Sequence, residues 1–113
     1  LYGLLCRYQD GDNYYAFLIS TDGYYGIFIK EAGIMRLIDL NQMGYSDIIQ
    51  GNAGENKISA ACHDNKLALL VNDTKLLQVE DNTFTHGDVG VIAGSLSEPG
   101  AEVLFKYFIV MKP

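Results

Sequence analysis

Apolar residues occur in short runs along the whole chain, and groups of polar residues and glycine separate the runs. Many runs alternate apolar and polar positions, and none keeps the 3.6-residue period of an amphipathic helix over about ten residues. Alternating side chains are typical of β-strands, and closely spaced turn signals are typical of an antiparallel sandwich or barrel. The pattern predicts nine strands, at residues 2–9, 13–20, 24–30, 34–40, 56–63, 66–71, 74–79, 88–95 and 102–110.

The turns between these strands are marked by glycine, aspartate and asparagine. Asp22-Gly23 is a strong hairpin signal, and Asn72-Asp73 marks another tight turn. In the strand that precedes this second turn, Leu67, Leu69 and Val71 are predicted to share one face. Residues 41–55 show no sustained period, which predicts a loop with one helical turn.

The strand at residues 13–20 is apolar on both faces. In a two-layer sandwich one face belongs to the core, so the other must be a concave groove, an interface or a surface covered by loops. The predicted fold class is therefore all-β, an antiparallel two-sheet β-sandwich, built as a single domain over residues 1–113.

Composition and charge exclude several classes of function. The chain has 113 residues, of which 49% are hydrophobic and 19% charged, as expected of one ordered domain. Its 8 Lys and Arg against 14 Asp and Glu, a net charge of −6, disfavour nucleic acid and anionic membrane surfaces as partners. Its apolar runs are too short for membrane insertion. The chain begins at Leu1 without the pattern of a signal peptide, which predicts a fragment of a longer protein.

The order of segments resembles a known family. The stretches YGLLCRYQD, NYYAF and DGYY, followed by residues 56–58, 66–72, 84–91 and 98–105, are similar to the laminin-G-like, concanavalin A-like jelly rolls of bacterial envelope and secreted proteins. The resemblance covers nearly the whole chain. It implies a jelly-roll sandwich in the cell envelope or outside a bacterial cell, and a function among lectins, glucanases and adhesion modules.

The chain departs from that family in three ways. It has no Trp where the family often has one in the middle hairpin, and it lacks the Asp that often precedes the aromatic residue of the last strand. The family also usually carries further strands before the segment that begins at Tyr2. We therefore expect an open sheet edge at the strand 102–110, filled by a segment upstream of Leu1 or by a second copy of the chain.

Carbohydrate binding is the first chemistry that the residues indicate. Tyrosine suits it, because its apolar ring stacks on the C–H face of a pyranose while its hydroxyl stays polar. The alternative role of such rings is packing in the core and in cross-strand pairs, which the general behaviour of aromatic residues favours. The candidate ligand-binding residues are Tyr14, Tyr15, Tyr24, Tyr25 and Arg7.

Catalytic carboxylates and metal ligands are less well supported. The glucanase pattern Glu-x-Asp-x-x-Glu does not occur, so no catalytic residue is assigned. Asp10 and Asp12 begin like a calcium-binding loop, but Thr21 stands where the bidentate Glu would be. These two aspartates are candidate Ca²⁺ ligands, although a solvated Asx turn is the simpler interpretation. No other cofactor is indicated.

The two cysteines, Cys6 and Cys62, allow three interpretations. They could be small core residues, one could work with a histidine in catalysis, or they could form a disulfide. A disulfide would close a loop of roughly 57 residues and contribute roughly 4 kcal/mol. It requires Cα atoms within about 7 Å of each other.

The best interpretation is a non-catalytic binding or adhesion module inside a larger envelope or secreted protein; that its ligand is carbohydrate is implied by the resemblance and not by any motif. One alternative is an enzyme that hydrolyses glycosides or keto-sugars, since related jelly rolls include hydrolases. Another is a structural spacer or oligomerisation module.

Overall fold

The computed structural model of the chain describes residues 1–50 and 55–93, which contain nine β-strands and no helix. The strands are β1 (Tyr2–Asp10), β2 (Asn13–Ile19), β3 (Tyr24–Glu31), β4 (Ile34–Leu37), β5 (Gly44–Tyr45), β6 (Ile58–His63), β7 (Lys66–Val71), β8 (Thr74–Glu80) and β9 (Asp88–Ala93).

The strands form two antiparallel sheets. The larger sheet has six strands in the order β4-β3-β2-β1-β9, with β5 joined to the same β3 as β4, and the smaller has the order β6-β7-β8. Along one edge of β3, β5 pairs with residues Tyr24 and Tyr25, while β4 pairs with Phe28–Glu31. The predicted all-β, two-sheet antiparallel sandwich is confirmed.

One apolar core lies between the sheets, and both contribute alternate residues of their strands. Leu67, Leu69 and Val71 are all fully buried, which confirms that they share the core face of β7. The other buried members are Cys6, Tyr15, Phe17, Ile19, Ile27, Ile29, Ile38, Ile49 and Val79.

The opposite face of the larger sheet is also apolar, as the composition of β2 predicts. Tyr14, Ala16 and Leu18 of β2 are buried on this outer face and form a second cluster. Tyr8 stacks on Tyr14 with 5.7 Å between ring centroids, and the Lys30 ammonium lies 5.7 Å from the same ring. A cation over an aromatic face is attracted by its quadrupole, so this part of the outer face is occupied by the chain's own side chains.

A disulfide joins the two sheets through the core. Cys6 of β1 and Cys62 of β6 are bonded, with their Cα atoms 6.8 Å apart. Of the three interpretations left open by the sequence, this is the one that the structure contains. The bond fixes the smaller sheet against β1.

The predicted and observed elements differ mainly in one segment. The segment 41–55, predicted as a loop with one helical turn, contains β5 in its described part, residues 41–50, followed by a turn in which the Ile49 amide approaches the Ser46 carbonyl at 3.5 Å. A strand of two residues is too short to show an alternating pattern, so the sequence does not predict β5. The strand exists because it pairs with Tyr24 and Tyr25, which are distant in the chain. The predicted strand 102–110, and with it the expected open edge, lies outside the described residues.

Candidate functional site

The most exposed aromatic pair of the described residues lies where β3 and β5 meet. Tyr24 and Tyr45 are directly opposite each other in this antiparallel pair, so their side chains leave the sheet on the same face. Their ring centroids are 5.5 Å apart with an interplanar angle of 67°. Tyr24 is 43% exposed and Tyr45 is 63% exposed. We call these two rings, with the neighbouring Ser20 and Asp22, the rim site.

The turn before β3 fixes the position of Tyr24. The Ser20 amide donates to the Tyr24 carbonyl at 2.8 Å, and the Gly23 amide donates to the Ser20 carbonyl at 3.2 Å. Gly23 has a φ of +99°, and a Cβ there would lie 2.7 Å from the Tyr45 ring. Glycine is therefore favoured by the backbone conformation, and a larger residue would also displace the exposed Tyr45 ring. The predicted Asp22-Gly23 turn is confirmed.

The segment that carries Tyr45 is held by hydrogen bonds from two asparagines. The Ser46 amide donates to the Gly23 carbonyl at 2.9 Å, which ties β5 to the turn. The Asn72 side chain donates to the Ile48 carbonyl at 3.0 Å, and the Asn56 side chain donates to the Gln50 carbonyl at 2.8 Å. A loop without a repeating pattern is thus given a defined position by one side chain that precedes β6 and one from the β7–β8 turn.

Polar groups stand beside the exposed rings. The Ser20 hydroxyl donates to the Asp22 carboxylate, and its oxygen accepts a hydrogen bond from the Tyr24 amide at 3.0 Å. Asp22 is exposed, so its carboxylate can still accept hydrogen bonds from a ligand. The rim site therefore combines apolar ring surface with an acceptor in one turn.

The other tyrosine candidates belong to the interior. Tyr15 is fully buried in the core between the sheets, and Tyr14 is 6% exposed on the outer face. Alternation along β2 sends these neighbours to opposite sides of the sheet, so they cannot form one platform. Tyr25 is partly buried against the core, with its ring packed over Gly44. Of the four tyrosines predicted from the sequence, the structure leaves Tyr24 exposed.

Tyr15 lies in a closed hydrogen-bond network at the other end of the sheet. Its hydroxyl donates to the Asp81 carboxylate at 2.5 Å and accepts from the Phe84 amide at 3.2 Å. Burial, together with this carboxylate, raises the pKa of Tyr15 to about 12. Burial alone would raise the pKa of Asp81, but hydrogen bonds from Tyr15 and Thr83 outweigh it and hold that pKa below its ordinary value. The groups are satisfied by one another, which indicates a structural role.

Arg7 belongs to that same closed end. It is 9% exposed, and its guanidinium donates to the Phe84 carbonyl at 3.0 Å. Its φ of +51° lies within an irregularity in the pairing of β1, between Cys6 and Asp10. The structure thus places Arg7 at the end of the sheet away from Tyr24, and its role in ligand binding stays a prediction from the sequence.

Asp10 and Asp12 occupy the turn between β1 and β2. The Asp10 carboxylate accepts from the Asp12 amide at 2.8 Å and from the Asn13 side chain at 3.0 Å. These hydrogen bonds lower the pKa of Asp10. The geometry is that of an Asx turn. Among the described residues, no group of three or more His, Cys, Asp or Glu side chains is arranged to hold a metal ion.

Two residues that the sequence did not single out are important in the structure. Tyr45 completes the rim site, and Asp81 is the partner of Tyr15. Tyr45 followed Gly44 in a segment without a period, so only its residue type could have drawn attention to it. Asp81 lies 66 positions from Tyr15, and no local pattern connects them.

Comparison with known proteins does not add a family to these observations. Neither a protein-family model, nor a curated protein, nor a solved structure matches the chain. The similarity to laminin-G-like and concanavalin A-like domains therefore stays a prediction from the sequence. Within residues 1–50 and 55–93, no helix is long and apolar enough to cross a membrane.

Proposed function

We propose that the chain is a non-catalytic module that binds carbohydrate through the rim site. The observation that carries this proposal is the pair of exposed rings, Tyr24 and Tyr45, set 5.5 Å apart at the edge of the larger sheet. The rings meet at 67°, so together they form a corner in which one ring offers its face and the other borders it. A pyranose fits such a corner with one C–H face against a ring.

The ligand that suits this corner best is a β-1,4-linked, gluco-configured chain. All hydroxyls of such a sugar are equatorial, so its axial C–H bonds give each ring a flat apolar face that a tyrosine can cover. Its equatorial hydroxyls point sideways and can donate to the Asp22 carboxylate. The tyrosine hydroxyls stay at the exposed side, where they bond to water or to the sugar.

The setting of the module is part of the proposal. The Cys6–Cys62 disulfide supports an oxidising compartment, because disulfides persist mainly in secreted and envelope proteins. The sequence resemblance points to the same compartment in a bacterium. We place the module in a larger envelope or secreted protein, where it attaches that protein to a glycan surface.

Titration with cellotetraose, followed by NMR, tests this function. We expect shifts confined to the turn before β3 and to β5. Tyr24→Ala and Tyr45→Ala should each weaken binding at least about tenfold, which corresponds to about 1.4 kcal/mol. Tyr24→Phe should keep most of the affinity, since the stacking ring remains.

Ile34→Ala is the matched control. Ile34 is 70% exposed on β4, along the same edge of β3, but it lies away from the two rings. It should bind cellotetraose as the parent does. An unchanged affinity in both tyrosine-to-alanine variants would overturn the proposal. Hydrolysis of the tetraose would favour the enzyme alternative, and a stable oligomer without any binding would favour the structural spacer.

A further inference from the structure

The charged residues in the two segments that carry the rings of the rim site are all acidic. Residues 18–26 and 40–50, which carry its two rings, contain Asp22 and Asp47 and no Lys, Arg or His. Both aspartates are exposed. Asp22 precedes Tyr24 by two positions and Asp47 follows Tyr45 by two positions.

The cations of neighbouring elements are engaged elsewhere. Lys57, on the segment hydrogen-bonded to the Asn72 turn, forms an ion pair with Asp73 at 2.8 Å. Lys30, further along β3, lies over the Tyr14 ring. Arg36 of β4 lies 4.0 Å from Glu31. Among the described residues, Asp22 and Asp47 are therefore the charged residues nearest in the chain to the two rings.

An ionised carboxylate only accepts hydrogen bonds. A sugar hydroxyl or ammonium group can donate to Asp22, whereas a second carboxylate or a sulfate brings like charge into the same turn. Repulsion between like charges in contact is weak in bulk water and grows stronger near a protein surface. The hydrogen bond from Ser20 keeps the Asp22 carboxylate in this turn, beside Tyr24.

We propose, resting on the carbohydrate-binding function above, that the rim site accepts neutral and amino sugars and rejects uronic, sialic and sulfated sugars. Asp22 is the residue that sets this preference. The net charge of −6 adds a weaker, long-range repulsion of acidic glycans, which salt removes.

Three tetramers with the same β-1,4 gluco backbone test the selectivity: cellotetraose, the glucosamine tetramer and the glucuronic acid tetramer. We expect the amino sugar to bind at least as tightly as cellotetraose, and the acid at least about fivefold more weakly at about 0.02 M salt. Asp22→Asn should reduce this discrimination, measured as the ratio of the cellotetraose and glucuronic acid tetramer affinities, by at least half.

Asp64→Asn controls for net charge. Asp64 is exposed in the β6–β7 turn with a φ of +53°, a conformation that asparagine also adopts readily. It should leave the discrimination as it is in the parent. If the neutral and acidic tetramers bind equally to the parent, the selectivity is wrong and the carbohydrate-binding function stands. If none of the three tetramers binds, the proposed function itself fails and the selectivity fails with it.

Discussion

Tyr15 and Tyr24 lie near opposite ends of the larger sheet, and each meets a second aromatic ring edge-on. The Tyr15–Phe84 centroids are 5.3 Å apart and the Tyr24–Tyr45 centroids 5.5 Å, with the same interplanar angle of 67°. Yet Tyr15 is fully buried, whereas Tyr24 is 43% exposed. The geometry of the ring pair therefore does not separate a packing tyrosine from one available to a ligand.

Two features of their surroundings do separate them. Tyr15 points between the sheets, where the segment after β8 closes over it and its hydroxyl finds Asp81 and the Phe84 amide. Tyr24 points to the outer face beside a two-residue strand, which pairs with the backbone and leaves the ring open. A buried tyrosine needs a partner for its hydroxyl, and an exposed one has water. The closed end, around Tyr15, is thus held by its own hydrogen bonds, while at the open end the rings of Tyr24 and Tyr45 stay exposed.

Removal of the disulfide should have the largest effect, and it should act on the closed end. The bond spans a sequence separation of 56, so its loss should lower the free energy of unfolding by about 4 kcal/mol. Urea unfolding of Cys6→Ala/Cys62→Ala and of the reduced parent measures this. Amide shifts should change around Arg7 and Phe84 and stay constant at Tyr24 and Tyr45. Equal shifts at both ends would show that the two regions are not independent.

Alkaline pH should have the second-largest effect on stability, and it should also act on the closed end. The pKa of Tyr15 is raised to about 12 in the folded chain, against about 10 when unfolded. The contribution of protonated Tyr15 to the free energy of unfolding is complete below pH 10 and is lost as pH rises through 12. Between these values Tyr15 is ionised in the unfolded chain but still protonated in the folded one. This difference in pKa corresponds to a loss of roughly 2 kcal/mol. Unfolding followed from pH 9 to 12 should show this loss in the parent but not in Tyr15→Phe.

Loss of the Tyr15 hydroxyl alone should cost somewhat less at neutral pH. Tyr15→Phe keeps the ring contact with Phe84 but leaves Asp81 and the Phe84 amide without this partner, which costs about 2 kcal/mol. Tyr14→Phe is the matched control on the neighbouring position, where the stack on Tyr8 is retained. Thermal or urea unfolding compares them. Equal losses in the two variants would contradict a specific role for the network.

Stability at acid pH provides a second measurement on the pair Tyr15 and Asp81. The hydrogen bonds to Asp81 lower its pKa in the folded chain, so its stabilisation is present above the unfolded pKa and is lost as pH falls through the folded one. Below about pH 4, the difference in stability between the parent and Tyr15→Phe should therefore shrink.

The same contrast explains which features the sequence could predict. Strands, the turns at Asp22-Gly23 and Asn72-Asp73, and the core face of β7 follow from patterns within a few residues, where alternation and turn chemistry act locally. The role of Tyr45 and the partner of Tyr15 do not, because β5 exists through pairing with β3, and Asp81 meets Tyr15 only after the sheets have packed. The residues around two adjacent tyrosines do not indicate which of them lies on a covered face of the sheet and which on an exposed face.

Truncation of the exposed Tyr24 side chain should have the smallest effect on stability. Tyr24→Ala removes a half-exposed side chain and one edge-on aromatic contact, so we expect a loss of about 1 kcal/mol or less in the free energy of unfolding. A double-mutant cycle with Tyr45→Ala, measured by urea unfolding, should give a coupling of about 0.5 kcal/mol between the rings. A loss as large as that of Tyr15→Phe would show that Tyr24 is a packing residue too. In that case the distinction between a closed and an open end would be wrong, and with it the reason to place a ligand at the rim site.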